Sequence, residues 1–208
     1  LLTLLGRPVP QLASGELLVR VEVVQGTPPP MSHYSKSSIG GDYHTDGTYI
    51  REQPPRFVAL LCIRRASTGG ESILIDGRRL YRLLDRQSPE TISILRRKYY
   101  FDCCNQVEGL AARSHSIISG PPEKPVFRYL RPLIESGQSK VGLRLPEEAL
   151  RSFDALDALL ADRSLHIQLP LEKGHLLLFD NGRFLHGRQP FNDGDGSLKR
   201  LLIRFWLD

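Results

Sequence analysis

Apolar residues in this chain recur mostly with period two, or in short runs bounded by Gly, Pro and Asp, which predicts strands rather than helices. Glu16–Val24 (ELLVRVEVV) and Phe57–Ile63 (FVALLCI) are rich in β-formers, and Ser72–Ile75 is a short apolar run closed by an Asp76-Gly77 turn. Tyr99–Asp102, Val126–Tyr129, Leu165–Leu169, His175–Phe179, Phe184–His186 and Arg200–Leu207 complete the predicted strands. Two regions break the pattern. Arg78–Asp85 leads into Pro89–Lys98, with Ser88 as a capping residue before Pro89. Pro146–Asp162 opens on Pro and two Glu and places Leu150, Phe153, Leu156, Leu159 and Leu160 on one stripe, which predicts a helix packed against a sheet. Gly26–Gly41 and Asn105–Lys124 are polar and rich in Gly, Pro and Ser, and they are read as loops. No βαβ alternation, internal repeat or dividing linker is visible. The expected architecture is mainly β with flanking helices, a sandwich or barrel in one domain spanning 1–208.

Composition narrows the function classes. With 208 residues, 40% of them hydrophobic and 25% charged, the chain is globular and not disordered. No apolar run approaches the roughly 20 residues of a bilayer span, so no membrane partner is expected. The net charge of +5 rests on 22 Arg and 6 Lys. These are scattered as pairs and triples such as Arg64-Arg65 and Arg96-Arg97-Lys98, without interleaved aromatics or a recognition motif, so nucleic acid is not the expected partner. Cys62, Cys103 and Cys104 form no disulfide framework, and LLTLLG at the start lacks a basic leader region. A reducing compartment, the cytoplasm, is the expected location.

Three pieces of sequence carry chemistry. In Tyr43-His44-Thr45-Asp46-Gly47, an extended backbone puts His44 and Asp46 on one face, where an imidazole and a carboxylate can ligate the same ion. In HLLLFDNGRFLHGR (His175–Arg188), an apolar strand turns at Asp180-Asn181-Gly182 and returns to His186, a possible third ligand. Two His and one carboxylate leave open positions, which suits non-haem Fe(II) and not a closed structural zinc site. In the last strand, period two sets Arg200, Leu202, Arg204 and Trp206 on one face. Two arginines there require anionic partners, and the fork of a guanidinium matches a carboxylate.

The four motifs YHTDGTY (Tyr43–Tyr49), TGGESILID (Thr68–Asp76), DNGRFLHGR (Asp180–Arg188) and RLLIRFWL (Arg200–Leu207) together resemble the Fe(II)/2-oxoglutarate-dependent dioxygenases, most closely the taurine dioxygenase and clavaminate synthase-like branch. The resemblance runs from about Gly6 to the last residue. It implies a double-stranded β-helix, a jelly-roll of cupin type, with Fe(II) as cofactor and 2-oxoglutarate and O2 as cosubstrates. It makes His44, Asp46 and His186 the iron ligands, and it makes Arg200, with the Ser72 hydroxyl, the receptor for the distal carboxylate of 2-oxoglutarate. Arg204 supports that carboxylate or takes an acidic group of the substrate. Arg128 is a candidate for a substrate carboxylate. Tyr49 and Trp206 are read as core or as substrate wall. The implied activity is hydroxylation or desaturation of a C–H bond in a small polar metabolite, an amino acid or specialised-metabolite precursor.

Some residues depart from the pattern. Ser72 stands where the family often has Thr, Asp46 where the clavaminate synthase-like members often have Glu, and His175 where an acidic residue is usual. A carboxylate at position 46 argues against a halogenase. The chain is shorter than most relatives, with the difference expected at the N-terminus. A metal-dependent hydrolase with the same ligands, or a β-helix domain kept for binding, are the competing readings. His33 and His115 are read as exposed loop residues and His166 as structural.

Overall fold

A computed structural model describes residues 4–23, 38, 40–195 and 199–208. In chain order the strands are β1 (Leu18–Val21), β2 (Gly41–His44), β3 (Phe57–Arg64), β4 (Thr68–Gly69), β5 (Ser72–Asp76), β6 (Lys98–Asp102), β7 (Ala112–Ser116), β8 (Ile118–Ser119), β9 (Val126–Phe127), β10 (Ile167–Leu169), β11 (Leu176–Asp180), β12 (Phe184–Arg188), β13 (Phe191–Asn192) and β14 (Leu201–Leu207). The helices are α1 (Gly77–Gln87), α2 (Pro89–Leu95), α3 (Arg131–Lys140) and α4 (Glu147–Ala161). Two antiparallel four-stranded sheets, β1-β14-β3-β11 and β10-β5-β12-β2, face each other, which is the jelly-roll the motifs imply.

Alternation along β5 decides what each face does. Ile73 and Ile75 point outward and join Leu80, Leu84, Ile92, Phe153, Leu156 and Leu160 in a helix-covered core. Leu74 points the other way and packs with Val58, Leu60, Phe179, Leu202 and Trp206 between the sheets. Both clusters remove large apolar area from water, and that burial drives the two layers together. Strand β12 keeps the same alternation, because Leu185 pairs with Ile75, His186 with Leu74 and Arg188 with Ser72. His186, Arg188 and Ser72 therefore share the inner face.

The predicted strands recur with shifted ends, and several differences have physical causes. Asp76-Gly77 is no turn. Asp76 caps α1 by accepting from the Arg78 N–H at 3.0 Å, and Gly77 is required because a Cβ there would lie 2.7 Å from the Arg183 carbonyl oxygen. Ser88 caps α2 as expected, yet α2 stops at Leu95 and Lys98 opens β6. The stripe of α4 packs chiefly on α1 and α2, and Phe153 also meets Tyr99 of β6 edge-on at 5.2 Å. The Asn105–Lys124 segment is not all loop. Ala112–Ser116 pairs with β6, which also brings His115 out of solvent. Helix α3 has no capping side chain and holds a Gly at its centre, where a Cβ would meet the Tyr100 carbonyl oxygen at 2.3 Å. Most of Gly26–Gly41, with His33, lies outside the described residues. Among the described residues no helix is long and apolar enough to cross a membrane.

Candidate active site

The inner face between the sheets gathers residues that are far apart in the chain. His44, at the end of β2, is the direct cross-strand partner of His186, and their rings lie 4.3 Å apart. The chain then turns sharply through Thr45-Asp46-Gly47. Gly47 has φ +73°, and a Cβ there would lie 2.5 Å from the Pro55 ring, so the turn that returns Asp46 to the site needs glycine. Asp46 Oδ1 is 3.6 Å from His44 Nε2, and Asp46 Oδ2 is 4.0 Å from His186 Nε2. The donor atoms of the three side chains all lie within 4.8 Å of one another.

The turn is held from three sides. Asn181 is fully buried. Its Oδ1 accepts from the Asp46 N–H at 2.8 Å, and its Nδ2 donates to the carbonyls of Asp46 and Pro55 at 3.0 and 3.1 Å. The Thr45 N–H donates to the Tyr129 carbonyl, and the Tyr129 N–H donates to the Thr45 hydroxyl, both at 3.0 Å. Each Asp46 carboxylate oxygen accepts one bond from β14: Arg204 Nη1 at 3.0 Å and Trp206 Nε1 at 2.9 Å. Arg204 is itself gripped by Gln11, which is wholly buried and accepts from Arg204 Nε at 2.7 Å.

These contacts set the charge state. Burial works against ionisation of Asp46, yet the Arg204 guanidinium and the two imidazoles hold its carboxyl well below the usual carboxylate range. Burial, followed by the neighbouring His44, pushes His186 down to about 3, so at neutral pH its imidazole is uncharged, the form that ligates metal. The donor set is two imidazoles and one carboxylate, with the Nδ1 of His186 buried and unpartnered. It fits a divalent ion with open positions of the non-haem iron type.

A cavity of about 100 Å³ opens from this cluster. Ser72, Arg188, Arg200 and Arg204 line it together with Tyr49, Leu60, Leu130 and Leu202. Ser72 and Arg200 are each 4% exposed, and Arg200 Nη2 donates to the Gly70 carbonyl at 3.2 Å. Arg188 and Arg200 stand over the same Phe191 ring, at 4.7 and 5.2 Å. Burial pushes the Tyr49 hydroxyl up to about 12, so it stays a neutral hydrogen-bonding group.

Of the residues singled out in the sequence, His44, Asp46, His186, Ser72, Arg200, Arg204 and Tyr49 share this cavity. Arg204 is spent on Asp46 and Gln11, and Trp206 is fully buried. Arg128 is not among the residues lining it; it lines a neighbouring cavity. His166 is structural, with Nε2 2.8 Å from the Leu160 carbonyl and its ring 4.9 Å from that of Tyr43. Arg188, Asn181 and Gln11 were missed. Arg188 was within reach of the period-two reading, since it lies two residues beyond His186.

The chain matches the description "Taurine catabolism dioxygenase TauD, TfdA family" over residues 6–206. It belongs to that family. Among similar proteins, FR-33289 synthase of Streptomyces rubellomurinus (strain ATCC 31215) is 26% identical over 172 residues, covering 74% of this chain and 47% of that protein. Uridine-5'-phosphate dioxygenase of Streptomyces sp is 26% identical over 189 residues, covering 86% of this chain and 64% of the relative. The fold is similar to that of an asparagine oxygenase solved with Fe(II), 2S,3S-3-hydroxyasparagine and succinate, with a TM-score of 0.79 and 23% identity over 98% of this chain and 60% of that one. The chain therefore spans roughly half to two thirds of the length of these proteins.

Proposed function

We propose that residues 1–208 act as one catalytic domain of an Fe(II)- and 2-oxoglutarate-dependent oxygenase that hydroxylates a C–H bond of a small polar metabolite. An amino acid or a specialised-metabolite precursor is the substrate class this reading favours. One observation carries the reading: the His44, Asp46 and His186 donors open into the same cavity as Arg200 and Ser72. A metal-dependent hydrolase would use the three donors and leave Arg200 and Ser72 without a task.

When bound, Fe(II) with 2-oxoglutarate supplies the oxidising chemistry: one atom of O2 enters the substrate C–H bond, and the other enters the succinate formed with loss of CO2. The chain's own residues position the reactants and exclude water. His44, Asp46 and His186 would hold the metal, and Arg204 and Trp206, each bonded to one Asp46 oxygen, fix the orientation of that carboxylate. Arg200, buried beside the Ser72 hydroxyl, grips the distal carboxylate of 2-oxoglutarate through a charge-assisted pair. Leu60, Leu130 and Leu202 keep the cavity wall apolar, and Tyr49 offers the substrate a hydroxyl.

The test is succinate formation and O2 uptake with Fe(II), 2-oxoglutarate and a panel of amino acids and phosphorylated or carboxylated metabolites. The wild-type chain should form succinate, and His186→Ala and Arg200→Ala should lose it. No succinate from the wild type, together with no iron binding, would overturn the reading.

A further inference from the structure

Outside the metal cavity, one cluster of buried charge has no part in the chemistry above. Arg128, just after β9, and His115 on β7 line a second cavity of about 520 Å³, whose rim carries Lys98 and Lys124. The two acids facing it are already engaged. Glu52 pairs with Arg113 at 2.8 Å, and Asp180 Oδ1 accepts from the N–H groups of Gly182 and Arg183 at 3.0 Å each. Arg128 is 8% exposed and gives Nη2 to the Glu52 carbonyl at 2.6 Å. Its Nη1 is buried without a partner, and so is His115 Nε2.

Leaving a buried cationic N–H unbonded is costly, and such atoms are normally satisfied. Burial pushes Arg128 down to about 10, still cationic at neutral pH, and pushes His115 down to about 4, so its ring is neutral. A neutral imidazole has one N–H to give. Donors of this kind, with two lysines at the rim, match a group that only accepts and carries negative charge. No described residue lines both cavities, but the segments that line them are neighbours. Tyr129, next to Arg128, exchanges hydrogen bonds with Thr45, and Leu130 and Tyr49 of the metal cavity lie two and three residues from Arg128 and Glu52.

We propose that this second cavity is an oxyanion-binding subsite, anchored by Arg128, for a carboxylate or phosphate group. Two sources share that chemistry: the far end of the substrate held at the metal cavity, which rests on the oxygenase reading, or a separate small anion.

Calorimetric titration of the chain with inorganic phosphate, alone and with Fe(II) and 2-oxoglutarate under argon, tests the subsite. Saturable binding is expected, weakened about tenfold or more by Arg128→Gln, as loss of a charge-assisted bond implies. Arg200→Gln should leave it in place, because Arg200 lines the other cavity. Arg128→Gln should keep or raise the melting temperature, since it removes a buried cation; if that variant fails to fold, Arg128→Lys and the Lys98→Ala/Lys124→Ala pair carry the same titration. Absence of saturable binding, or equal binding by wild type and the Arg128 and lysine variants, would overturn the proposal. A raised KM for an anionic substrate in Arg128→Gln at unchanged kcat, with phosphate competing, assigns the subsite to the substrate. Phosphate binding that leaves KM untouched assigns it to a separate anion. The phosphate titration needs no turnover, so failure of the oxygenase reading would leave it intact.

Discussion

Two neighbouring cavities treat buried charge in opposite ways. In the metal cavity, Arg204 is paired within the protein: its charge meets Asp46 at 3.0 Å and its Nε meets Gln11 at 2.7 Å. In the second cavity, Arg128 is sheltered too, but its hydrogen bond goes to a carbonyl, the nearby Glu52 carboxylate is paired with Arg113, and one of its own nitrogens has no partner. The difference teaches that burial alone does not define a role for an arginine. A guanidinium matched by a protein carboxylate fixes geometry, whereas one matched only in part is available to a ligand.

Several experiments would break or sharpen that comparison. The largest effect is expected for His186→Ala, which removes a metal donor. Fe(II) affinity should fall by at least about 100-fold and succinate formation should be lost, as measured by anaerobic metal titration and product analysis. Arg204→Gln comes next. The Asp46 carboxylate keeps its charge but loses its main orienting partner, so Fe(II) affinity should drop about 10- to 100-fold, the range typical of groups that orient a ligand. If Fe(II) binding were unchanged in Arg204→Gln, the contrast between the two arginines would collapse.

Arg200→Gln should raise the KM for 2-oxoglutarate about tenfold or more while leaving Fe(II) binding near the wild-type value, which separates cosubstrate from metal. Asn181→Ala strips three hydrogen bonds from a wholly buried turn, and chemical denaturation should show a loss of about 1–3 kcal/mol or more. The smallest effect is a pH dependence from His115. Its folded-state value of about 4 lies below the ordinary 6.5, chiefly through burial and then through Arg128. The unfolded chain therefore binds the extra proton first, so this contribution is complete above about 6.5 and is lost as pH falls towards 4. Denaturation midpoints of His115→Asn should be flatter than wild type across that window.

Much of the fold was legible because side chains along β5, β12 and β14 alternate between two faces, with a register irregularity between Leu201 and Leu202 of β14. Arg200, Leu202, Arg204 and Trp206 were readable as one face from period two alone, whereas the pairing of β12 with β5 is what brings His186 and Ser72 to a common face. Helix α3 and strand β7 were not legible. RPLIESGQSK and ARSHS carry weak local preference, and these segments take their form from packing against β6. His115 was misread as a loop residue for the same reason. Asn181 reads as a turn former next to Gly182, and nothing local announces that it clamps Asp46 from 135 residues away.

The sequence by itself determined which side chains share a face of each strand, because alternation is a local property that survives any long-range arrangement; which face turns inward depended on how the sheets pack. It also carried the donor types that can hold a metal, and its four motifs carry the resemblance to the family that the match over residues 6–206 shows. Only the tertiary structure decided which buried cation has a partner. Arg204 and Asp46 are 158 residues apart, and their meeting depends on the register of β14 against β3 and on a glycine turn that returns Asp46 to the strand. The same long-range docking carried Arg128 into a cavity of its own beside His115, where its remaining donor has no protein acceptor. Charge pairing is a distance effect, and distance between remote segments is fixed only when the layers pack.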